Sequence, residues 1–369
     1  MKEVVTITDY DHKGRGMARI NNKIVFIPNT IIGEIVEIKI IKEKKKYMEA
    51  IVLSFVKESP IRVKNNCPYY PKCGGCDLLH IPYEEQLKYK EEKVKNIINK
   101  YTKEEIKINN IVPSDKQFNY RNKVTLQVDR NKIGFYEKES NNIIEINKCL
   151  LLDNKLNDYL KKINNTTQQI ILRTNSNEVL NNNKHTIIKE IGKYKYLVSL
   201  ESFFQVNDNV TYKMYEQIKH YCNSTKNDFI LDLYCGTGTI GIYLSEECKA
   251  VLGVEINKQA ILDANRNKKL NNVNNIEFIA NDVSKVINKI EFKPTIIVVD
   301  PPRAGLDEKT IKEIIKINPH TIVYTSCDPM TLARDLNILK YYFQIDEITP
   351  FDMFPNTYHV ECVCRLSRK

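Results

Sequence analysis

Residues 229–241 read FILDLYCGTGTIG: an apolar, strand-like run carrying Asp232, then a turn through Gly236 and Gly238 into the start of a helix. Glycine lets the backbone approach a ligand closely there, and the first turn of the following helix offers free amides. The next apolar run, AVLGV (250–254), leads to Glu255 one strand-helix-strand unit later, where a carboxylate can accept both ribose hydroxyls of a nucleoside cofactor. Three more runs follow, IEFIA (276–280), TIIVVD (295–300) and TIVYT (321–325), with amphipathic intervals such as 258–270 and 308–317 between runs. This alternation predicts a doubly wound parallel sheet. Asp282 and Asp300 close the third and fourth units, at the carboxyl edge where such sheets bind ligands. Asp282 can also be read as the cap of a helix starting at Val283. The final pair, FQIDEIT (343–349) and HVECVCRL (359–366), has no helical pattern between its members and predicts an antiparallel arm, an ending that suits methyltransferases better than dehydrogenases.

Upstream the texture differs. Residues 1–58 carry short β-type runs, VVTIT, KIVFIP, EIVEIKII and YMEAIVLSFV, separated by turn signals at Gly14, Asn21, Asn22 and Gly33, the cadence of a small all-β barrel. Its basic stretch Lys39–Lys46 reads equally as a solvated hairpin end or as a contact to an RNA backbone. Residues 59–200 form a central β-rich region with runs VTLQVDRNKIGFY, NIIEINKCLLL, QIILRTN, HTIIKEI and YKYLVSL. A helical stretch within 83–117 places Leu87, Val94, Ile97 and Ile98 on one face, which is expected to pack on a catalytic domain spanning 201–369.

The chain has 369 residues, 42% of them hydrophobic, and no apolar run long enough to span a membrane. Its start lacks the pattern of a secretion signal, so a cytoplasmic location is expected. A formal net charge of +10 favours a polyanionic partner. Ten cysteines in such a chain point to metal or catalysis rather than disulfides. The spacing Cys67-x5-Cys73-Gly-Gly-Cys76 suits a metal and lacks a fourth local ligand, a place that His80 can fill for zinc. Cys327, in TSCDPM, precedes a helix that Asp328 caps and Pro329 opens, and the positive helix end favours a thiolate.

Six motifs occur in order: FFQVN (203–207), LDLYCGTGTIG (231–241), GVEIN (253–257), DPPRAGL (300–306), SCDPMTLARDL (326–336) and HVECV (359–363). Together they resemble the RNA uridine-5-methyltransferase family, in the branch with an N-terminal TRAM domain and an iron-sulfur cluster. The resemblance covers nearly the whole chain. It implies an α/β fold: a Rossmann-like class I methyltransferase domain, an OB-like TRAM barrel and a β-rich central iron-sulfur domain. It implies that Cys327 attacks C6 of uracil, that C5 takes the methyl group of S-adenosylmethionine, and that Glu361 removes the C5 proton. Gln205, Tyr234, Glu255, Asp282 and Asp300 are implied to hold the cofactor, with Tyr234 where many relatives have Phe. Cys149, in INKCLLL, matches the distant fourth ligand of a [4Fe-4S] cluster with Cys67, Cys73 and Cys76. The implied substrate is a uridine of 23S ribosomal RNA, the alternative being the T-loop uridine of tRNA, with neither a membrane nor an obligate protein partner involved. A cytosine-5 or base-nitrogen methyltransferase, or an RNA-binding protein with a vestigial catalytic domain, is disfavoured by the presence of both Cys327 and Glu361.

Overall fold

The computed structural model describes residues 2–129, 132–163, 169–181, 186–286, 290 and 292–369. Positions 130 and 131 within VTLQVDRNKIGFY, and His185 ahead of TIIKEI, lie outside the described residues.

The first six strands are β1 (Lys2–Thr6), β2 (Asp9–Tyr10), β3 (Gly16–Ile20), β4 (Lys23–Ile27), β5 (Ile35–Glu43) and β6 (Tyr47–Lys57). They form one sheet in the order β1-β5-β6-β4-β3-β2. Bonds from Thr8 N to Met17 O and from Ile7 N to Glu34 O carry the edge strand toward closure. Period-two burial explains the strands: Val5, Ile7, Val25, Ile27, Val36 and Ile38 point into a common core, and intervening side chains face out. Buried Glu34 then fastens the exit from the barrel, accepting two bonds of 2.7 Å from the Arg62 guanidinium.

Helix α1 (Tyr83–Thr102) ends at Lys103, whose left-handed conformation lets its amide return to Asn99 O. The helical reading of 83–117 therefore holds only to residue 102. Beyond it the chain extends along the last strand but one of the catalytic sheet, with Asn109 N bonded to Ile348 O and Val112 N to Pro350 O. An open sheet edge with unpaired backbone groups outcompetes local helix propensity here.

The central sheet comprises β7 (Lys123–Asp129), β8 (Lys132–Tyr136), β9 (Ile143–Glu145), β10 (Gln169–Thr174) and β11 (Val179–Leu180), in the order β11-β10-β7-β8-β9, with α2 (Asn154–Leu160) beside it. Only the first part of NIIEINKCLLL is a strand, and Cys149 lies in the turn that follows. β12 (Thr186–Ile191) and β13 (Tyr194–Ser199) make a separate hairpin whose Ile187, Tyr196 and Val198 share a core with the catalytic sheet.

After α3 (Asp208–Cys222) come β14 (Phe229–Leu233), α4 (Thr239–Leu244), β15 (Ala250–Glu255), α5 (Lys258–Leu270), β16 (Ile276–Ala280), α6 (Val283–Val286), β17 (Ile296–Val299), α7 (Glu308–Ile317), β18 (Thr321–Ser326), α8 (Pro329–Leu339), β19 (Phe343–Phe351) and β20 (Glu361–Arg368). The sheet order is β16-β15-β14-β17-β18-β20-β19, parallel through β18 and antiparallel where β20 enters. That is the class I methyltransferase topology. β17 and β18 are buried on both faces, as their unbroken apolar runs require.

Val94 and Ile98 of α1 join the same core as Leu332 and Leu336 of α8. Lys90 of α1, wholly buried, lies 2.5 Å from the Asp352 carboxylate and 3.0 Å from Phe354 O. Removing one member of a buried pair strands the other charge. Lys90→Ala is therefore expected to lose about 3–5 kcal/mol in urea unfolding, and Lys90→Met combined with Asp352→Leu considerably less.

Candidate active site

The strand-to-helix turn after β14 carries three left-handed residues, Tyr234 (φ 62°), Gly236 (φ 53°) and Gly238 (φ 75°). At Gly238 a Cβ would stand 2.4 Å from Phe278 Cζ, so packing and backbone both exclude a side chain. The turn amide of Gly236 donates to Glu255 Oε2 at 3.2 Å, and Asn257 N donates to Oε1 at 2.8 Å. Beneath it, buried Asp232 accepts one bond from Gly241 N at 3.0 Å, while its second oxygen has no partner among the described residues. Burial raises this carboxyl to about 8, the Gly241 bond opposing and the charges of Asp300 and Glu255 adding to the rise.

Gln205, Tyr234 and Asp300 line one cavity together with Gly236, Thr237 and Thr239. Glu255 lines an adjoining open cavity of about 820 Å³ that shares Gly236, Thr237 and Phe203 with the first. Asp282 lines neither. Its Oδ1 accepts from both the amide and the hydroxyl of Ser284, each at 2.9 Å, which makes it the cap of α6. Thr239 takes a wall position and meets the Tyr215 hydroxyl at 2.7 Å.

At the end of β18, Ser326 pairs with Cys362, so continuing the antiparallel register sets Cys327 opposite Glu361. Asp328 caps α8 by accepting from Met330 N at 2.8 Å. The thiolate-favouring helix end does not prevail: burial, then the charges of Glu361 and Asp300, push the Cys327 thiol up to about 12, with Arg303 opposing them. Burial also lifts Glu361 to about 8, Asp300 adding and Arg303 opposing. Asp300 stands at about 6, raised by burial against a bond from Thr325. Cys327 opens into a cavity of about 190 Å³ whose wall includes His12 and Lys13 from the barrel, Lys93 from α1, and Arg303, Tyr358 and His359. Arg303 and His359 stand inside motifs quoted above, but their side chains carried no sequence signal of their own; the barrel residues carried none at all.

Cys67, Cys73, Cys76 and Cys149 line a single apolar cavity between the barrel exit and β8, and all four are free thiols. Burial raises Cys73, Cys76 and Cys149 above the ordinary thiol range. No three His, Cys, Asp or Glu side chains among the described residues are close enough together to hold a single metal ion. His80 is not at this cavity: its Nδ1 faces the Tyr70 hydroxyl at 2.6 Å and its Nε2 faces Thr30 O at 3.1 Å, so it is not the fourth ligand. The other buried cysteines, Cys222, Cys235, Cys248, Cys362 and Cys364, are core residues.

The profile of the tRNA (uracil-5-)-methyltransferase family matches residues 166–369, and that of the TRAM domain matches residues 3–53. An RNA methyltransferase of Clostridium tetani is 33% identical over 97% of this chain and 94% of its own length. One of Staphylococcus aureus is 33% identical over 99% and 97%. The chain belongs to the RNA uracil-5-methyltransferase family. The crystal structure of Pyrococcus abyssi tRNA (uracil-54, C5)-methyltransferase with S-adenosyl-L-homocysteine superposes with a TM-score of 0.80 at 28% identity, covering 98% of this chain and 99% of that one. The protein is thus an S-adenosylmethionine-dependent RNA (uracil-C5)-methyltransferase with an N-terminal TRAM domain. Among the described residues no helix is long and apolar enough to cross a membrane.

The raised carboxyl of Glu361 makes stability depend on pH. Below its ordinary value of 4.5 it is protonated folded or unfolded. Above that the unfolded chain releases the proton first, so stability falls until the pH passes about 8. Glu361→Gln, which cannot ionise, is expected to gain roughly 2–4 kcal/mol relative to the parent protein between pH 4.5 and pH 9. Denaturant melts at both pH values measure it. Gly238→Ala is expected to lose cofactor binding and about 2 kcal/mol of stability through the left-handed turn and the Phe278 clash.

Proposed function

We propose that this methyltransferase modifies C5 of a uridine in 23S ribosomal RNA, with Cys327 as nucleophile and Glu361 as base. The observation that carries the chemistry is the opposition of Cys327 and Glu361 across β18 and β20, beside an Asp300 that also lines the cofactor cavity. C5 of uracil is a poor nucleophile until C6 is saturated. The Cys327 thiol gives up its proton to water in the cavity onto which it opens, the sulfur adds to C6 as thiolate, and the electron pair moves to C5 and O4. C5 then takes the methyl group from the sulfonium, leaving S-adenosylhomocysteine. Glu361 removes the C5 proton, the C5–C6 double bond re-forms, and the thiolate leaves. Arg303 favours the thiolate by its charge, and a carboxyl near 8 is matched to receiving a proton near neutral pH.

Gln205, Tyr234, Glu255 and Asp300 hold the cofactor along the two cavities, whereas Asp282, expected to join them, lines neither and caps α6 instead. The chain divides into a TRAM barrel (1–58), a central region (59–200) and the methyltransferase domain (201–369). Cys67, Cys73, Cys76 and Cys149 would hold a [4Fe-4S] cluster: four soft thiols line one dry cavity. The cluster supplies a covalent tie between chain segments, since methyl transfer calls for no electron. The ribosomal RNA reading rests on the resemblance to the branch that joins a TRAM domain to an iron-sulfur cluster. The second reading, tRNA, draws on the similarity to the Pyrococcus abyssi tRNA enzyme. A cytoplasmic location goes with this reading of an RNA substrate.

Tritium release from 5-tritiated transcripts of 23S RNA domains and of tRNA separates the two substrates, and turnover on tRNA alone would move the target. Cys327→Ala is expected to abolish release while keeping cofactor affinity. Glu361→Gln is expected to accumulate an RNA–protein adduct that survives denaturation. Asp300→Ala or Glu255→Ala should weaken S-adenosylmethionine binding by about 1–3 kcal/mol in calorimetry. Protein purified without oxygen should contain about four irons per chain and lose them in Cys149→Ser; one zinc and no iron would overturn the cluster.

A further inference from the structure

The connection from β19 to β20, residues 352–360, ends on Glu361, and its Tyr358 and His359 form part of the wall around Cys327. Its own hydrogen bonding is confined to the turn in which Thr357 donates to Phe354 O and the amide of His359 donates to Thr357 Oγ1. Its carbonyls are also taken up from the central region: Phe354 O by Lys90 Nζ at 3.0 Å, Pro355 O by the Tyr120 hydroxyl at 3.1 Å, and Tyr358 O by Lys93 Nζ at 2.9 Å.

Asn356 stands at the middle of this arrangement. It is 3% exposed and left-handed at φ 67°. Its amide donates to Gln86 Oε1 at 2.9 Å, and its Oδ1 accepts from Gln86 Nε2 at 3.2 Å. Its Nδ2 donates to Gln117 O at 2.8 Å. Its carbonyl accepts from Asp77 N and Leu78 N, both at 3.0 Å, directly after Cys76. Every polar group of this one residue is thus held by residues between 77 and 117, far away in sequence. Asparagine is among the few side chains that tolerate a left-handed backbone.

We propose that Asn356 is a positioning residue, holding the 352–360 connection against the central region so that Glu361 meets the C5 proton. The inference rests on the reading of Glu361 as base. The 352–360 residues line neither of the two cofactor cavities, whose walls come from the 199–205 segment, the turn after β14 and the start of α5 among others. Loosening the tie therefore displaces the base and spares the cofactor.

Asn356→Gly tests this, because glycine keeps the left-handed backbone and removes only the side-chain bonds. Gln86→Met severs the same tie from the opposite side and serves if the first variant does not fold. Either variant is expected to slow release of methylated RNA by about tenfold or more, the scale of a small misplacement of a reacting group. The denaturation-resistant adduct should accumulate, with S-adenosylmethionine affinity and RNA KM nearly unchanged. A merely structural role would lower the melting temperature and leave the adduct level alone. A folded variant that releases product at the parent rate, or that loses cofactor affinity in proportion to rate, overturns the inference. Glu361→Gln run alongside separates the two claims: if it traps adduct and Asn356→Gly does not, only the positioning role fails; if it traps none and turns over, the base assignment fails and the inference falls with it.

Discussion

Antiparallel entry of β20 between β18 and β19 is the constraint on which the site depends. A parallel strand would bring its last residue to the carboxyl edge of the sheet, whereas β20 brings its first, Glu361, beside the end of β18 and Cys327. The same edge gathers Asp232 and Asp300 at the ends of β14 and β17, the first buried and the second half-buried, each raised above the ordinary carboxyl range. Concentrating acids in a dry place destabilises the fold locally. The apolar, doubly buried strands behind them provide the stability against which that strain is held.

Around this edge the site is composite. The cofactor cavities belong to the catalytic sheet and its preceding hairpin, but the mouth of Cys327 takes His12 and Lys13 from the TRAM barrel and Lys93 from α1. Fully buried Lys90 and Asp352 fasten α1 to the connection before β20, and the 107–112 segment covers the β19 edge. The TRAM barrel and central region therefore supply walls of the Cys327 cavity and braces for the strands behind it. The cavity at Cys327 carries cationic side chains from all three regions, Lys13, Lys93 and Arg303.

The seven-stranded sheet was legible because each strand is a short apolar run bounded by turn chemistry, and the runs recur at a strand-helix cadence. The turn at Gly236 and Gly238 was legible because few residue types allow a left-handed backbone there. Cys327 and Glu361 were legible only through motifs. Nothing in local composition distinguishes Glu361 from an exposed strand residue, and the helix end beside Cys327 suggested a reactive thiolate that burial and two neighbouring acids counteract. The helical reading of 103–117 failed because its backbone partner, β19, lies more than two hundred residues downstream.

What the sequence by itself determined was the order of elements, the left-handed turn, the β character of the N-terminal barrel and the convergence of thiols in Cys67, Cys73 and Cys76, all set by local sterics, side-chain periodicity and short spacing. Tertiary structure alone decided the ionisation of the buried acids, the barrel's share in the mouth of Cys327, the exclusion of His80 from the thiol cavity and the role of Asn356 as a junction. Each of these depends on desolvation or on partners from distant parts of the chain, and neither is written in the residues that flank them.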